Sequence, residues 1–177
     1  SSNPNLKIDV SEWNAQSTDW RTGLYCGGLL NAFERCGDIL EIGGPALFLR
    51  HVSATAWDNV FINFDQSSWF PAPNYVVMKL WRDHYAPERL AVSGDAGSLN
   101  VSATRRADGA VIVKVVNPGR EKVPLELAVP TSASASAQVV APGGLDARNT
   151  LAEPDCVKPE TLAVRVEGDK VLAEMPA

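Results

Sequence analysis

Glu12 closes a short apolar run, Lys7-Ile8-Asp9-Val10, inside the segment Ser11-Glu12-Trp13-Asn14. A strand-end carboxylate can serve as nucleophile or as general acid/base. Strand alternation puts Glu12 and Asn14 on one side and Trp13 on the other. Asn14 can then bind a ligand beside Glu12, orient the carboxylate, or stabilise the turn. Trp13 is placed to pack between strand and helix. On local pattern alone, a Glu at a strand end is usually just solvated. Asp58 and Asp65 are fallback second carboxylates, and each is also a natural loop former. Trp57 and Trp69 lie on long loops and suit the C–H faces of sugars, with loop anchoring as the competing role. His51 reads as a hydrogen-bonded structural residue.

Other chemistries find little support. His51 and His84 are the only two histidines, they are far apart in sequence, and no Cys/His cluster has metal-ligand spacing. Cys26 and Cys36 fall on one expected helix, about 15 Å apart, too far to bridge. At most one of them can reach Cys156, and all three read as reduced thiols. The net charge is −5, without a Lys/Arg cluster, which argues against a nucleic-acid partner. Arg105-Arg106, before an Asp-Gly turn, reads as a solvated strand end. No apolar run approaches a bilayer span, so no membrane partner is expected. Ser1-Ser2-Asn3-Pro4 has neither the basic nor the apolar region of a signal peptide. In a fragment this says nothing of the parent's location. With 177 residues, 45% of them apolar and 21% charged, the chain can form one large domain or two small ones.

The elements that must position Glu12 change character near Pro87. All five Trp, three Tyr, five Phe and both His precede it, and no aromatic residue follows. This predicts a boundary, with domains at 1–87 and 88–177. The first part reads as strand, helix, strand, helix. Thr18 is the expected cap of a helix running to about Arg35, stopped by Gly37. Gly23, Gly27 and Gly28 inside it each cost up to about 1 kcal/mol against Ala. Such a run fits a helix lying tight against a sheet. Ile39–Ile42 is the next strand, and after Phe61–Phe64 Pro73 opens a second helix ended by Pro87. Two β-then-α units predict parallel strands. The second part alternates with period two: Leu99, Val101, Ala103; then Asp108-Gly109 as a two-residue turn; then Val111, Val113, Val115. Val123, Leu125, Leu127, Val129 and Leu162, Val164, Val166 follow. This predicts an antiparallel β-sandwich. The low-complexity run 132–137 (SASASA) reads as a solvated edge or loop.

Several segments together resemble the α-L-arabinofuranosidases of glycoside hydrolase family 51. They are Val10-Ser11-Glu12-Trp13-Asn14, Thr18-Asp19-Trp20-Arg21-Thr22-Gly23-Leu24-Tyr25 and Leu29-Leu30-Asn31-Ala32-Phe33-Glu34-Arg35. Gly44-Pro45-Ala46-Leu47-Phe48-Leu49-Arg50 and Trp69-Phe70-Pro71-Ala72-Pro73-Asn74-Tyr75 belong with them. The likeness is strong over roughly residues 5–90 and weaker through Ala147–Pro154. It implies that Glu12 is the catalytic nucleophile on the seventh barrel strand and that Asn14 is a substrate-binding neighbour. The family's acid/base Glu follows an Asn, and this sequence has no Asn-Glu pair. A second Trp found in some relatives four residues after the nucleophile is Gln16 here.

The resemblance thus implies a C-terminal fragment: the last two βα units of a (β/α)8 barrel, then a jelly-roll-like antiparallel β-sandwich. Val171–Ala177 resembles the lead-in to a last sandwich strand. The implied activity is retaining hydrolysis of terminal α-L-arabinofuranosyl residues in arabinan, arabinoxylan or their oligosaccharides. No metal or organic cofactor is implied. The expected partners are that saccharide and the N-terminal part of the same enzyme, and a homo-oligomer is left open, as is secreted against cytoplasmic location. The alternative is a non-catalytic carbohydrate-binding or structural sandwich. The absence of aromatic residues after Pro87 disfavours a sugar-binding sandwich.

Overall fold

The computed structural model describes residue 3, residues 5–129 and residues 134–177. Ser1, Ser2 and Pro4 of the leader reading, and 132–133 of the SASASA run, lie outside the described residues. In the rest of that run 134–136 are irregular and Ala137 begins a strand. The elements are β1 (Ile8–Trp13), α1 (Trp20–Arg35), β2 (Leu40–Pro45), β3 (Leu49–His51), β4 (Ile62–Phe64), β5 (Trp69–Pro71) and α2 (Pro73–Asp83). Then come β6 (Glu88–Arg89), β7 (Asn100–Arg105), β8 (Val111–Val116), β9 (Val123–Ala128), β10 (Ala137–Val139), β11 (Glu160–Leu162), β12 (Val164–Glu167) and β13 (Lys170–Met175).

The first βα unit forms as its pattern predicts, with β1 parallel to β2 across α1. The second does not repeat it. β4 runs parallel to β3 but antiparallel to β5, and this three-stranded sheet is separate from β1–β2. The described residues therefore hold one parallel pair and small mixed or antiparallel sheets. The expected run of barrel strands is not visible in them, because nothing pairs with the outer edges of β1 and β2.

Helix α1 is capped one residue later than expected, at Asp19 rather than Thr18. Asp19 has extended backbone and its side chain accepts from the Arg21 amide at 3.1 Å. Partial burial pushes this carboxyl up. Hydrogen bonds from Ser17 and the Arg21 amide, with the Arg21 charge, outweigh that and hold it below the usual carboxylate value. At the other end Cys36, not Gly37, is the cap, its amide donating to Ala32 and Phe33 carbonyls at 3.0 and 3.1 Å. Of the three glycines Gly27 has the expected use, whereas Gly23 makes room for the Trp20 ring of the same helix. A Cβ on Gly27 would meet Val116 Cγ2 at 2.9 Å, so its absence lets α1 lie against β8. Pro73 starts α2 at its first position, after Ala72, which offers no side-chain cap.

The second part is antiparallel throughout: β6-β7-β8, β9-β13-β12 and β10-β11. The turn after β7 is longer than the expected two residues. Arg106 N donates to Ala110 O at 2.9 Å and Gly109 N to Arg106 O at 3.0 Å, with Gly109 at φ 88°. That is a three-residue turn whose glycine supplies the left-handed bulge. The apolar stripe Val111, Val113, Val115 looks toward Leu125, Leu127 and Val171 across a cleft of about 970 Å³. Trp20 and Trp81 line the same cleft from the two helices.

The opposite face of β7–β8 is the more buried one, and it is polar. Ser102, Thr104 and Lys114 are nearly inaccessible under α1. Asn31 Nδ2 donates to the Asn100 and Lys114 carbonyls at 3.0 and 3.3 Å, and its Oδ1 accepts from Trp81 Nε1 at 2.9 Å and Ser102 Oγ at 2.8 Å. Glu34 pairs with Lys114 and lies 2.7 Å from Ser102 Oγ, so Glu34 and Asn31 share the one hydroxyl proton. Thr104 Oγ1 has no partner there, and it is the bonded cluster of Asn31, Glu34, Ser102 and Lys114 that fixes how α1 sits on the sheet. The apolar core lies on the other flank of α1, around Trp13, Trp20, Cys26, Phe61, Val77 and Val157. Asn149 closes it, bonding Pro71 O at 3.0 Å and both backbone groups of Val157.

Candidate active site

β1 presents Glu12 by an irregularity in its pairing. Val10 faces Gly43 and Trp13 faces Pro45, so three steps along β1 match two along β2. The extra residue falls at Ser11–Glu12, a bulge of the kind that re-aims a side chain. Gly44 is needed opposite it, since a Cβ there would stand 2.6 Å from Ser11 O. Gly43 similarly leaves room for Phe33, whose ring would lie 2.7 Å from an added Cβ. The Glu12 side chain is exposed, while Trp13 is buried between Phe33 and Phe61, at ring centroid separations of 6.0 and 5.4 Å. Among the described residues the Glu12 carboxylate takes no hydrogen bond and no cation. It faces solvent as a free acceptor.

Asn14 fixes the chain just beyond. Its Oδ1 accepts from the Ala15 amide at 2.8 Å and from Asn74 Nδ2 at 3.1 Å, and its Nδ2 donates to Asn59 O. Asn59 returns the contact, Nδ2 donating to Ala15 O at 2.8 Å. Asn74 is 1% exposed in the first turn of α2, and Val60 and Phe61 beside Asn59 are as deeply buried. The strand end carrying Glu12 is thus tied to α2 and to the loop between β3 and β4. Of the roles open to Asn14 in the sequence, these bonds are those of turn stabilisation and support of Glu12.

The remaining candidates separate clearly. Asp65 is spent on its own turn: the Ser67 and Ser68 amides donate to it, each at 2.8 Å, and hold its carboxyl below the usual range. A carboxyl so held is unsuited to protonating a leaving group at neutral pH. Asp58 is exposed and precedes Asn59, whose amide bonds the chain just beyond Glu12. His51 Nδ1 pairs with Ser53 Oγ at 2.8 Å and its ring meets Phe64 edge-on, a structural role. Trp57 and Trp69 are 69% and 57% exposed, so neither anchors its loop by burial. Sequence reasoning passed over Asn59, Asn74 and Gly44. The asparagines had only their residue type to signal them, and Gly44 showed only as part of a turn-like Gly43-Gly44-Pro45.

Among the described residues, no three His, Cys, Asp or Glu side chains gather in a way that could hold a metal ion. No helix there is long and apolar enough to cross a membrane. All three cysteines are free: Cys26 is buried and Cys36 and Cys156 are exposed.

The sequence matches the family profile described as the α-L-arabinofuranosidase C-terminal domain over residues 6–177. No curated protein matches it. Solved structures do. An arabinose-bound α-L-arabinofuranosidase, MgGH51, superposes with a TM-score of 0.79 at 22% identity, over 95% of this chain and 27% of that one. The α-L-arabinofuranosidase of Thermotoga maritima, in its arabinose complex, gives 0.76 at 18% identity, over 96% and 41%. The family 30 xylanase C catalytic domain of Talaromyces cellulolyticus gives 0.76 at 17%, over 99% and 40%. At these identities the likeness is one of fold. The chain spans between about a quarter and two-fifths of the length of these structures.

Proposed function

The chain belongs to the α-L-arabinofuranosidase C-terminal domain family, and from that membership we propose that it is the C-terminal part of a retaining arabinofuranosidase whose nucleophile is Glu12. In this reading residues 1–87 complete a (β/α)8 barrel and residues 88–177 form the β-sandwich packed on it. The substrate is a terminal α-L-arabinofuranosyl group on an arabinan, an arabinoxylan or one of their oligosaccharides. The observation that carries the reading is the presentation of Glu12, an unpaired, exposed carboxylate on a bulged strand end held just beyond by the bonded asparagines Asn14, Asn59 and buried Asn74. Barrel enzymes keep their chemistry at that end of the strands.

The chemistry follows from the pair of carboxyl groups a retaining glycosidase needs, about 5–5.5 Å apart. A Glu12 oxygen attacks the anomeric carbon as the glycosidic C–O bond breaks. The leaving oxygen takes a proton from the acid/base carboxyl, which the absence of an Asn-Glu pair assigns to a part of the enzyme outside this sequence. Water, giving its proton back to that carboxylate, then displaces Glu12 from the ester with overall retention. Asn14 holds the strand end beside Glu12 through its bonds to Ala15, Asn59 and Asn74.

The test is chemical rescue in the full-length enzyme. Glu12→Ala is expected to lower hydrolysis of natural substrates by several orders of magnitude while leaving the fold intact, because the carboxylate contributes nothing to the core. Azide or formate is expected to restore cleavage of an activated aryl arabinofuranoside, giving a product of inverted configuration. A Glu12→Ala enzyme that keeps near-normal turnover, or whose azide product is retained, would overturn the assignment.

A further inference from the structure

Trp57 is 69% exposed, more than any other large apolar side chain described, and its backbone stands at φ 59°. A bulky residue in the left-handed region is uncommon and persists only where its surroundings hold it. They do so here. The Arg50 guanidinium donates to Ala54 O, to Ala56 O at 3.4 Å and to Asn63 Oδ1 at 3.3 Å, closing the loop on one side of Trp57. On the other side Asn59 is bonded to Asn14 and Ala15, and Val60 and Phe61 are buried. A large ring is thus held outward on a loop fixed at both ends. A lone surface Trp means little by itself. Its place is what matters. Two residues span at most about 7 Å of chain, so Trp57 is that close to Asn59, whose partners Asn14 and Ala15 lie just beyond Glu12.

We propose that Trp57 is a stacking platform for the sugar unit that bears the scissile arabinofuranosyl group, on the leaving-group side of the site. The proposal rests on the reading of Glu12 given above. The terminal arabinofuranosyl group must be gripped at Glu12 itself. The next unit continues along the solvent-facing rim, where an exposed indole offers its face to C–H groups. Asp58, next in sequence, adds an acceptor for that unit's hydroxyls.

The experiment compares two substrates in the full-length enzyme: methyl α-L-arabinofuranoside, with no sugar on the leaving side, and an arabino-oligosaccharide. Trp57→Ala is expected to raise KM for the oligosaccharide roughly five- to tenfold, within the range for one aromatic contact. The methyl glycoside should stay within about twofold, and kcat should be unchanged on both. Trp57→Phe should restore most of the oligosaccharide KM. An equal rise on both substrates, or no rise on the oligosaccharide, overturns the platform. Titration of the oligosaccharide with tryptophan emission as readout separates this from the catalytic assignment, because it needs no turnover. A saturable change in the wild type that disappears in Trp57→Ala supports the platform even if Glu12→Ala keeps its activity. The same change surviving in Trp57→Ala sinks the platform and leaves Glu12 untouched.

Discussion

Glu12 and its neighbours show how far single residues carry the account. The alternation that sets Glu12 and Asn14 against Trp13 was readable in six residues, and the burial of Trp13 agrees with it. The bulge was not readable, because pairing irregularity depends on what β2 brings opposite. Gly44 is the residue to test. Its substitution by Ala places a Cβ 2.6 Å from the Ser11 carbonyl, and backbone cannot rotate aside as a side chain can. We expect Gly44→Ala to lower kcat between about tenfold and a hundredfold by shifting Glu12, with KM for small substrates little changed. An unaltered kcat would mean that the bulge does not set the height of the nucleophile. The cysteines give a second residue-scale outcome. Burial pushes the Cys26 thiol up to about 12 from an ordinary 9.0, while Cys36 and Cys156 lie exposed. A thiol reagent near pH 8 should therefore modify two groups in the native chain and a third only after unfolding. Because the folded state disfavours the Cys26 thiolate, stability is full below the unfolded pKa and declines as pH rises from about 9 toward 12. Rapid labelling of all three thiols in native protein would contradict the placement of Cys26.

At the scale of elements, period and punctuation located both helices and most strands, but not how they face each other. The Val111, Val113, Val115 stripe announced one face of β8. The other face, with Lys114, Ser102 opposite it and Thr104, carries no apolar stripe to announce it, yet all three are buried. The partners lie about 70 to 80 residues apart, Asn31 and Glu34 on α1 against Ser102 and Lys114, and no local pattern links them. Removing one member should be worse than removing both. Lys114→Met leaves the Glu34 carboxylate without its cation and is expected to cost about 3–5 kcal/mol. Adding Glu34→Gln should recover part of that, measured as denaturant midpoints in a double-mutant cycle. Additive losses would show that the pair does not lock α1 to the sheet. Gly27 belongs to the same joint, and Gly27→Ala should destabilise it by pressing on Val116.

The whole molecule carries its own sign of what Glu12 needs. Parallel sheets are ordinarily covered on both faces, yet β1–β2 leaves Ile8 43% and Ile42 56% exposed. Composition marked the change at Pro87, and the βα pattern suggested more parallel strands than the described residues contain. One carboxylate cannot act as nucleophile and leaving-group acid in the same step. The isolated 177-residue chain is therefore expected not to hydrolyse an activated arabinofuranoside, and turnover near that of the full-length enzyme would refute that expectation. The most direct measurement traps the covalent intermediate. The full-length enzyme is treated with an activated fluorinated arabinofuranoside that forms the glycosyl ester quickly and releases it slowly, then is digested and mapped by mass spectrometry. The account predicts a single label on the peptide containing Ser11-Glu12-Trp13, on the Glu12 carboxylate. A label on Asp58, Asp65 or any other carboxylate would contradict it.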